Sequence, residues 1–233
     1  VHFPSTKLAF KNVIKLGENK KNVFLTGCPS IDLAKSILDK PKLKNIKEGT
    51  GYNVDLKKPY LVVMQHPVTT EFSKVKKQIQ ETLRAVAKLN IQTIWFWPNI
   101  DAGSDSISKM LRTYREKNKI PKVRFCKNFS PELFLNLINN CACLIGNSSV
   151  AIREGSFLGI PSVNIGNRQS GREHGKNIIH AKYISSSIIK SVKTQIKHGK
   201  YKKEIIFGNG NSAKIISKLL MKVKPNIQKK LII

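Results

Sequence analysis

The chain has 233 residues, is 40% hydrophobic and carries a formal net charge of +28, from 42 basic against 14 acidic residues. That length buries one substantial core or two small ones, and its apolar runs, each interrupted by Lys, Asn or Ser, fall short of the roughly 18 residues of a membrane span, so a soluble, cytoplasmic protein is expected. Four irregularly spaced cysteines argue against a disulfide framework or a four-ligand zinc site, and the five histidines form no HExxH pattern, so neither metal nor cofactor is expected.

In chain order, residues 1–40 read as a helix in "PSTKLAFKNVIKLGE", a short strand "NVFLTG" without an obvious neighbour, and a second helix in "CPSIDLAKSIL". Residues 41–58 are polar and contain Gly, as expected of a linker with a boundary near Lys58. From Tyr60 the pattern becomes regular: strand "YLVVMQ", helix 71–90, strand "TIWFWP", helix 104–118, strand "VRFCKN", helix 131–140, strand "CLIGN", a helix from about Ser149 to Leu158, and strand "PSVNIG". Short β-branched runs between amphipathic helices predict an α/β, Rossmann-like parallel sheet covered on both faces. Cys141 and Cys143, separated by one residue, are expected to point to one face of a strand as buried small hydrophobes. Helices are expected at 184–198 and 211–224, followed by a frayed tail.

The charge points first toward nucleic acid or an anionic membrane as partner. Yet 35 of the 42 basic residues are lysine, spread over the whole chain among many Asn and Ile, which reads as a composition bias. A nucleic-acid module also needs exposed aromatics, whereas Trp95, Phe96 and Trp97 fall in an expected buried strand. Three of the seven arginines, Arg153, Arg168 and Arg172, instead cluster in residues 146–173. Arginine suits bidentate contact with phosphate, so this clustering carries more information than the total charge.

In open α/β sheets ligands sit beyond the carboxyl ends of the strands. Those positions hold His66 in "HPVTTE", Asn99 in "PNIDAGS", the run "NFSP" and the run "NSS". Ser148 and Ser149 lie where strand gives way to helix, as an anion site or as ordinary helix caps. Glu154 would either face donor hydroxyls, such as a ribose diol, or stand as a solvated helix charge paired with Arg153 or with Lys side chains. His66, before Pro67, either faces the cleft or is merely bonded to the chain. Neither GxxxxGK[ST] nor GxGxxG nor GxSxG occurs.

Together, "QHPVTTE", "WPNIDAGS", "GNSSVAIRE" and "VNIGNRQSGRE" resemble the hydrolysing UDP-N-acetylglucosamine 2-epimerases of sialic-acid and related nonulosonic-acid biosynthesis. The resemblance runs over nearly the whole chain, with the four motifs in family order. It implies the second half of a GT-B type fold: residues 1–40 as the end of an amino-terminal domain, 41–58 as linker, 59–224 as the UDP-binding domain with its carboxy-terminal helices, and 225–233 as tail. It also implies that His66 contacts the pyrophosphate and sugar region as the catalytic residue, Asn99 lies in the nucleotide cleft, the main chain around Phe129 meets uracil, Ser148 and Ser149 meet the phosphates, Glu154 the ribose hydroxyls and Arg168 the nucleotide or sugar side. The implied substrate is a UDP-sugar, converted to N-acetylmannosamine and UDP by elimination and hydration in a homo-oligomer, with no nucleic-acid or membrane partner. Because the family's acidic catalytic residues belong to the first domain, and the chain starts at Val1, a nucleotide-binding fragment with little turnover is expected. A GT-B glycosyltransferase using a UDP-sugar donor is the alternative; "HPVTTE" and "NRQSGRE" weigh against it.

Overall fold

The computed structural model describes residues 1–38, 45–117, 119–224 and 228. Helix α1 (Lys7–Lys15) begins where the Thr6 hydroxyl accepts the Ala9 N–H at 3.1 Å. Helix α2 (Pro29–Ser36) begins with a proline, whose missing N–H costs nothing in a first turn. The expected strand between them does not form. Val23 makes a single bridge with His2, and the N–H groups of Phe24 and Thr26 donate to the His2 and Pro4 carbonyls, a pairing too short to propagate.

Residues 39–44, which include the start of the expected linker, lie outside the described residues. Beyond them, β1 (Thr50–Gly51) pairs antiparallel with Phe125 and Arg124, a strand the polar composition did not announce. Its anchor is the guanidinium of Arg124, which donates to the carbonyls of Glu48 at 2.8 Å, Lys47 at 3.0 Å and Tyr52 at 3.3 Å. Ile46 and Val54 flank this excursion and are buried.

The regular part follows: β2 (Leu61–Met64), a 3-10 turn over Thr69–Lys74, α3 (Val75–Leu89), β3 (Thr93–Phe96), α4 (Ser104–Glu116), β4 (Val123–Cys126), α5 (Pro131–Asn140), β5 (Cys143–Gly146), α6 (Arg153–Leu158) and β6 (Ser162–Ile165). Then come β7 (Ile178–Ala181), α7 (Ser185–His198) and α8 (Ser212–Leu220). The expected helix from Ser149 becomes regular only at Arg153, because residues 149–152 are turns and the Gly155 N–H reaches back five residues to the Val150 carbonyl. Strand β7 escaped the sequence reading because its four residues are only half buried, as suits a short edge strand. Asn118, at the expected end of α4, and nearly all of the tail 225–233 lie outside the described residues.

Among the described residues the sheet has seven strands in the order β1-β4-β3-β2-β5-β6-β7, all parallel except β1. Alternation along each strand divides the core. Val62, Ile94 and Leu144 face α2, α5 and α6, while Leu61, Val63, Trp95 and Ile145 face α3, α4 and α7. Cys141 and Cys143 are both buried but belong to opposite faces, because Cys141 precedes the strand and the two-residue period does not apply to it. Helix α8 returns to pack on α2, and Asp32 fixes it there by accepting the Ser212 and Ala213 N–H groups at 2.9 and 2.7 Å. The chain direction around the sheet reverses between β2 and β5, which makes their carboxyl ends the crevice of a doubly wound fold.

Candidate functional site

The two strand ends that meet at this crevice are joined by a reciprocal clasp. The His66 N–H donates to Asn147 Oδ1 at 2.8 Å, and Asn147 Nδ2 donates to the His66 carbonyl at 2.8 Å. Asn147 is fully buried, and Gly146 just before it, at φ +136°, brings β5 so close to Met64 that a Cβ would collide with the Met64 carbonyl. The Asn147 carbonyl in turn accepts from Gln169 Nε2 at 2.8 Å and from Arg168 Nη1 at 3.3 Å. Asn147 Nδ2 also reaches the Tyr183 hydroxyl at 3.4 Å. One buried residue, through its side-chain amide and its main-chain carbonyl, therefore gathers the ends of β2, β5, β6 and β7.

The His66 imidazole is held by the next strand end. The Asn99 N–H donates to Nδ1 at 3.3 Å. A backbone N–H only donates, so Nδ1 is the bare nitrogen and Nε2 carries the proton of the neutral ring. Burial lowers the His66 pKa to about 4; the Arg168 guanidinium adds to this, and Asp101 opposes it. Asp101 also lies 3.7 Å from Arg168 Nη2. Beside them a cleft of about 450 Å³ is lined by Pro67, Thr69, Thr70, Asp101, Asn167 and Arg168. At its rim Asn167 donates to Glu71 at 3.3 Å, tying the loop after β6 to the loop after β2.

A second group continues from Ser148. The Ser148 hydroxyl accepts the Val150 N–H at 3.4 Å, a local turn contact that leaves α6 without a side-chain cap. Arg153 Nη2 donates to the Ser149 hydroxyl at 3.3 Å, and Arg153 Nε lies 3.7 Å from Glu154 Oε2. Glu154 is 7% exposed, and its Oε2 has no hydrogen-bond partner. Glu154 thus keeps the pairing with Arg153 but is buried rather than solvated, and a buried carboxylate oxygen without a hydrogen-bond donor is costly unless a ligand supplies one. From the other side of the fold, Cys28 Sγ lies 3.9 Å from Arg153 Nη1. Arg153 and Arg172 also border a cleft of about 280 Å³ whose opposite wall is the start of α1.

His66, Asn99 and Arg168 are thus brought together around Asn147, and Ser148, Ser149 and Glu154 follow on the next turns of chain. Phe129 stands apart: its ring is buried edge-on against Phe96 at 5.5 Å, leaving main chain as its means of meeting a ligand. Asn147, Gln169, Asp101 and Tyr183 were missed as site residues. All four lie in or after motifs at strand ends, but nothing in the sequence marks a buried amide as a hub. Among the described residues no group of three or more His, Cys, Asp or Glu is placed to hold a metal, and no helix is long and apolar enough to cross a membrane.

The family model described as UDP-N-acetylglucosamine 2-epimerase matches residues 1–221. A UDP-N-acetylglucosamine 2-epimerase of Neisseria meningitidis is 32% identical over 215 residues, 91% of this chain and 54% of that protein. A hydrolysing UDP-N,N'-diacetylbacillosamine 2-epimerase of Legionella pneumophila is 27% identical over 219 residues, 94% of this chain and 56% of that protein. The chain thus spans about half the length of these relatives. Among solved structures, a Methanocaldococcus jannaschii UDP-GlcNAc 2-epimerase in complex with UDP-GlcNAc and UDP aligns at a TM-score of 0.69 and 15% identity, covering 95% of this chain and 60% of that one. The Neisseria meningitidis enzyme bound to UDP-GlcNAc aligns at a TM-score of 0.70 and 16% identity, with 95% and 61% coverage.

Proposed function

The chain belongs to the UDP-N-acetylglucosamine 2-epimerase family, and on that premise we propose that it is the nucleotide-binding part of a hydrolysing UDP-sugar 2-epimerase serving sialic-acid or related nonulosonic-acid synthesis. The observation that carries the proposal is the gathering of His66, Asn99 and Arg168 around Asn147 where the strand order reverses. In this reading Ser148, Ser149 and Arg168 meet the diphosphate, Glu154 accepts from the ribose hydroxyls, and main chain at Phe129 meets uracil.

In the proposed reaction a base removes the C2 proton, and the C1–O bond to UDP breaks with its electron pair leaving on the diphosphate, giving a C1=C2 glycal. Water then adds its hydroxyl to C1 and a proton returns to C2 on the opposite face, giving N-acetylmannosamine. His66, neutral with its proton on Nε2, serves as a hydrogen-bond donor to the departing diphosphate, a role in which a fixed donor stabilises charge as it develops. The acid–base groups for C2 belong, in this proposal, to the length of the relatives that this chain does not span. The test is calorimetric titration of the chain with UDP: saturable binding that Glu154→Ala abolishes is expected, with no binding of single-stranded oligonucleotide at physiological salt. A chain that ignores UDP would refute the nucleotide site. Incubating the longer protein with UDP-GlcNAc and finding no free N-acetylmannosamine would refute the hydrolysing reaction.

A further inference from the structure

Two imidazoles meet on the solvent side of β7. His180 lies in β7 and His174 in the turn before it, and their Nε2 atoms are 3.2 Å apart. The ring centroids are 4.9 Å apart and the planes cross at 67°, so the rings meet at an angle rather than end to end. Two imidazole nitrogens bound to one tetrahedral metal at ordinary zinc distances lie about 3.3 Å apart.

The outer nitrogens are also oriented. His174 Nδ1 lies 3.1 Å from the Gly175 carbonyl, which only accepts, so Nδ1 carries the proton and Nε2 is bare. His180 Nδ1 lies 3.2 Å from the side-chain amide of Asn164, a residue 1% exposed whose Oδ1 is buried without a partner. Turning that amide over gives Oδ1 a donor, the His180 Nδ1–H, and bares the second Nε2; it gives up the 3.4 Å contact from Asn164 to the Gly166 carbonyl and moves the amide nitrogen to the buried place of Oδ1. Metal-bound histidines are oriented in this way by carbonyl and amide acceptors on their far nitrogens.

The turn that carries His174 is braced. Buried Asn177 donates to the Ala151 and Ile160 carbonyls at 3.1 and 2.9 Å, the Gly175 N–H donates to Ser156 at 3.1 Å, and the Lys176 N–H donates to Glu204 at 2.6 Å. Both imidazoles are exposed, which gives an ion its entry path, and His180 borders a cleft of about 430 Å³ with Glu71, Asn167 and Tyr183.

We propose that His174 and His180 together form a two-imidazole site for a divalent transition-metal ion, with water in its remaining positions. Two protein donors are fewer than a structural or catalytic zinc site uses, so the ion is exchangeable, and Cu²⁺ binds more tightly than Zn²⁺. The proposal does not rest on the proposed reaction, although Asn167 and Tyr183 lie between His180 and the nucleotide crevice.

The test titrates the metal-free chain with copper(II) or zinc chloride by calorimetry, and follows the imidazole nitrogens by long-range ¹⁵N NMR with zinc. One ion per chain is expected, with the His174 and His180 Nε2 signals moving together. His174→Ala and His180→Ala should each weaken binding by about tenfold or more, at exposed positions whose loss leaves the circular dichroism unchanged. His198→Ala removes another exposed imidazole, stacked on Tyr201 at 3.8 Å, and should leave binding intact. Absence of saturable binding, binding that survives His174→Ala, or imidazole signals that move separately would overturn the proposal.

Discussion

Asn147 and His66 hold one another by two bonds of 2.8 Å, each residue donating to the other across the strands between which the sheet order reverses. The relationship is stricter than a single contact, because the amide must present its oxygen to an N–H and its nitrogen to a carbonyl at once.

Asn147→Asp should therefore be worse than Asn147→Ala. Alanine leaves a buried N–H and a buried C=O unpaired, a loss of about 2–6 kcal/mol at roughly 1–3 kcal/mol per orphaned group. Aspartate adds an oxygen facing the His66 carbonyl. Urea unfolding of the two variants decides the matter, and equal midpoints for aspartate and asparagine would show that the clasp carries no stability.

His66 should titrate near pH 4, far below the ordinary 6.5 of an imidazole. With the folded value depressed, the unfolded chain takes up a proton first as pH falls, so this residue costs nothing above pH 6.5 and removes stability between pH 6.5 and about 4, by roughly 3 kcal/mol in full. NMR titration of the ring gives the value directly. Stability measured across the same range in His66→Phe should fall less steeply than in the parent chain.

Glu154→Gln separates binding from folding. Removing a buried charge whose Oε2 lacks a donor should leave stability unchanged or raise it, while UDP affinity drops about tenfold or more through loss of a charged acceptor. Thermal melts beside UDP titrations would read both; an unaltered affinity would remove Glu154 from the nucleotide site.

Arg124 predicts a local defect. It is 9% exposed and bonds three carbonyls of the 47–52 segment, so Arg124→Met should cost about 3 kcal/mol and release that segment first. Limited proteolysis should then cut within residues 45–58 before any other site.

The parallel sheet was legible because strands such as "LVVM" and "TIWF" are apolar on both faces and their helices repeat at the helical period. Strands β1 and β7 were not, since a two-residue edge pairing and a half-buried run leave no periodic trace. Within the site, His66, Ser148, Ser149 and Arg168 stood out as polar residues at strand ends. Asn147 shares the same motif, yet its importance lies in bonds to main chain 81 residues away and in the reach of Arg168 and Gln169, relationships that only folding creates.

Asp32 reaches 180 positions along the chain to hold the first turn of α8. Mechanical load applied at the two ends would meet this junction before it met the strands. A stretched molecule should yield there in a first small step, with the sheet behind it still intact, and Asp32→Ala should erase that step from the force trace.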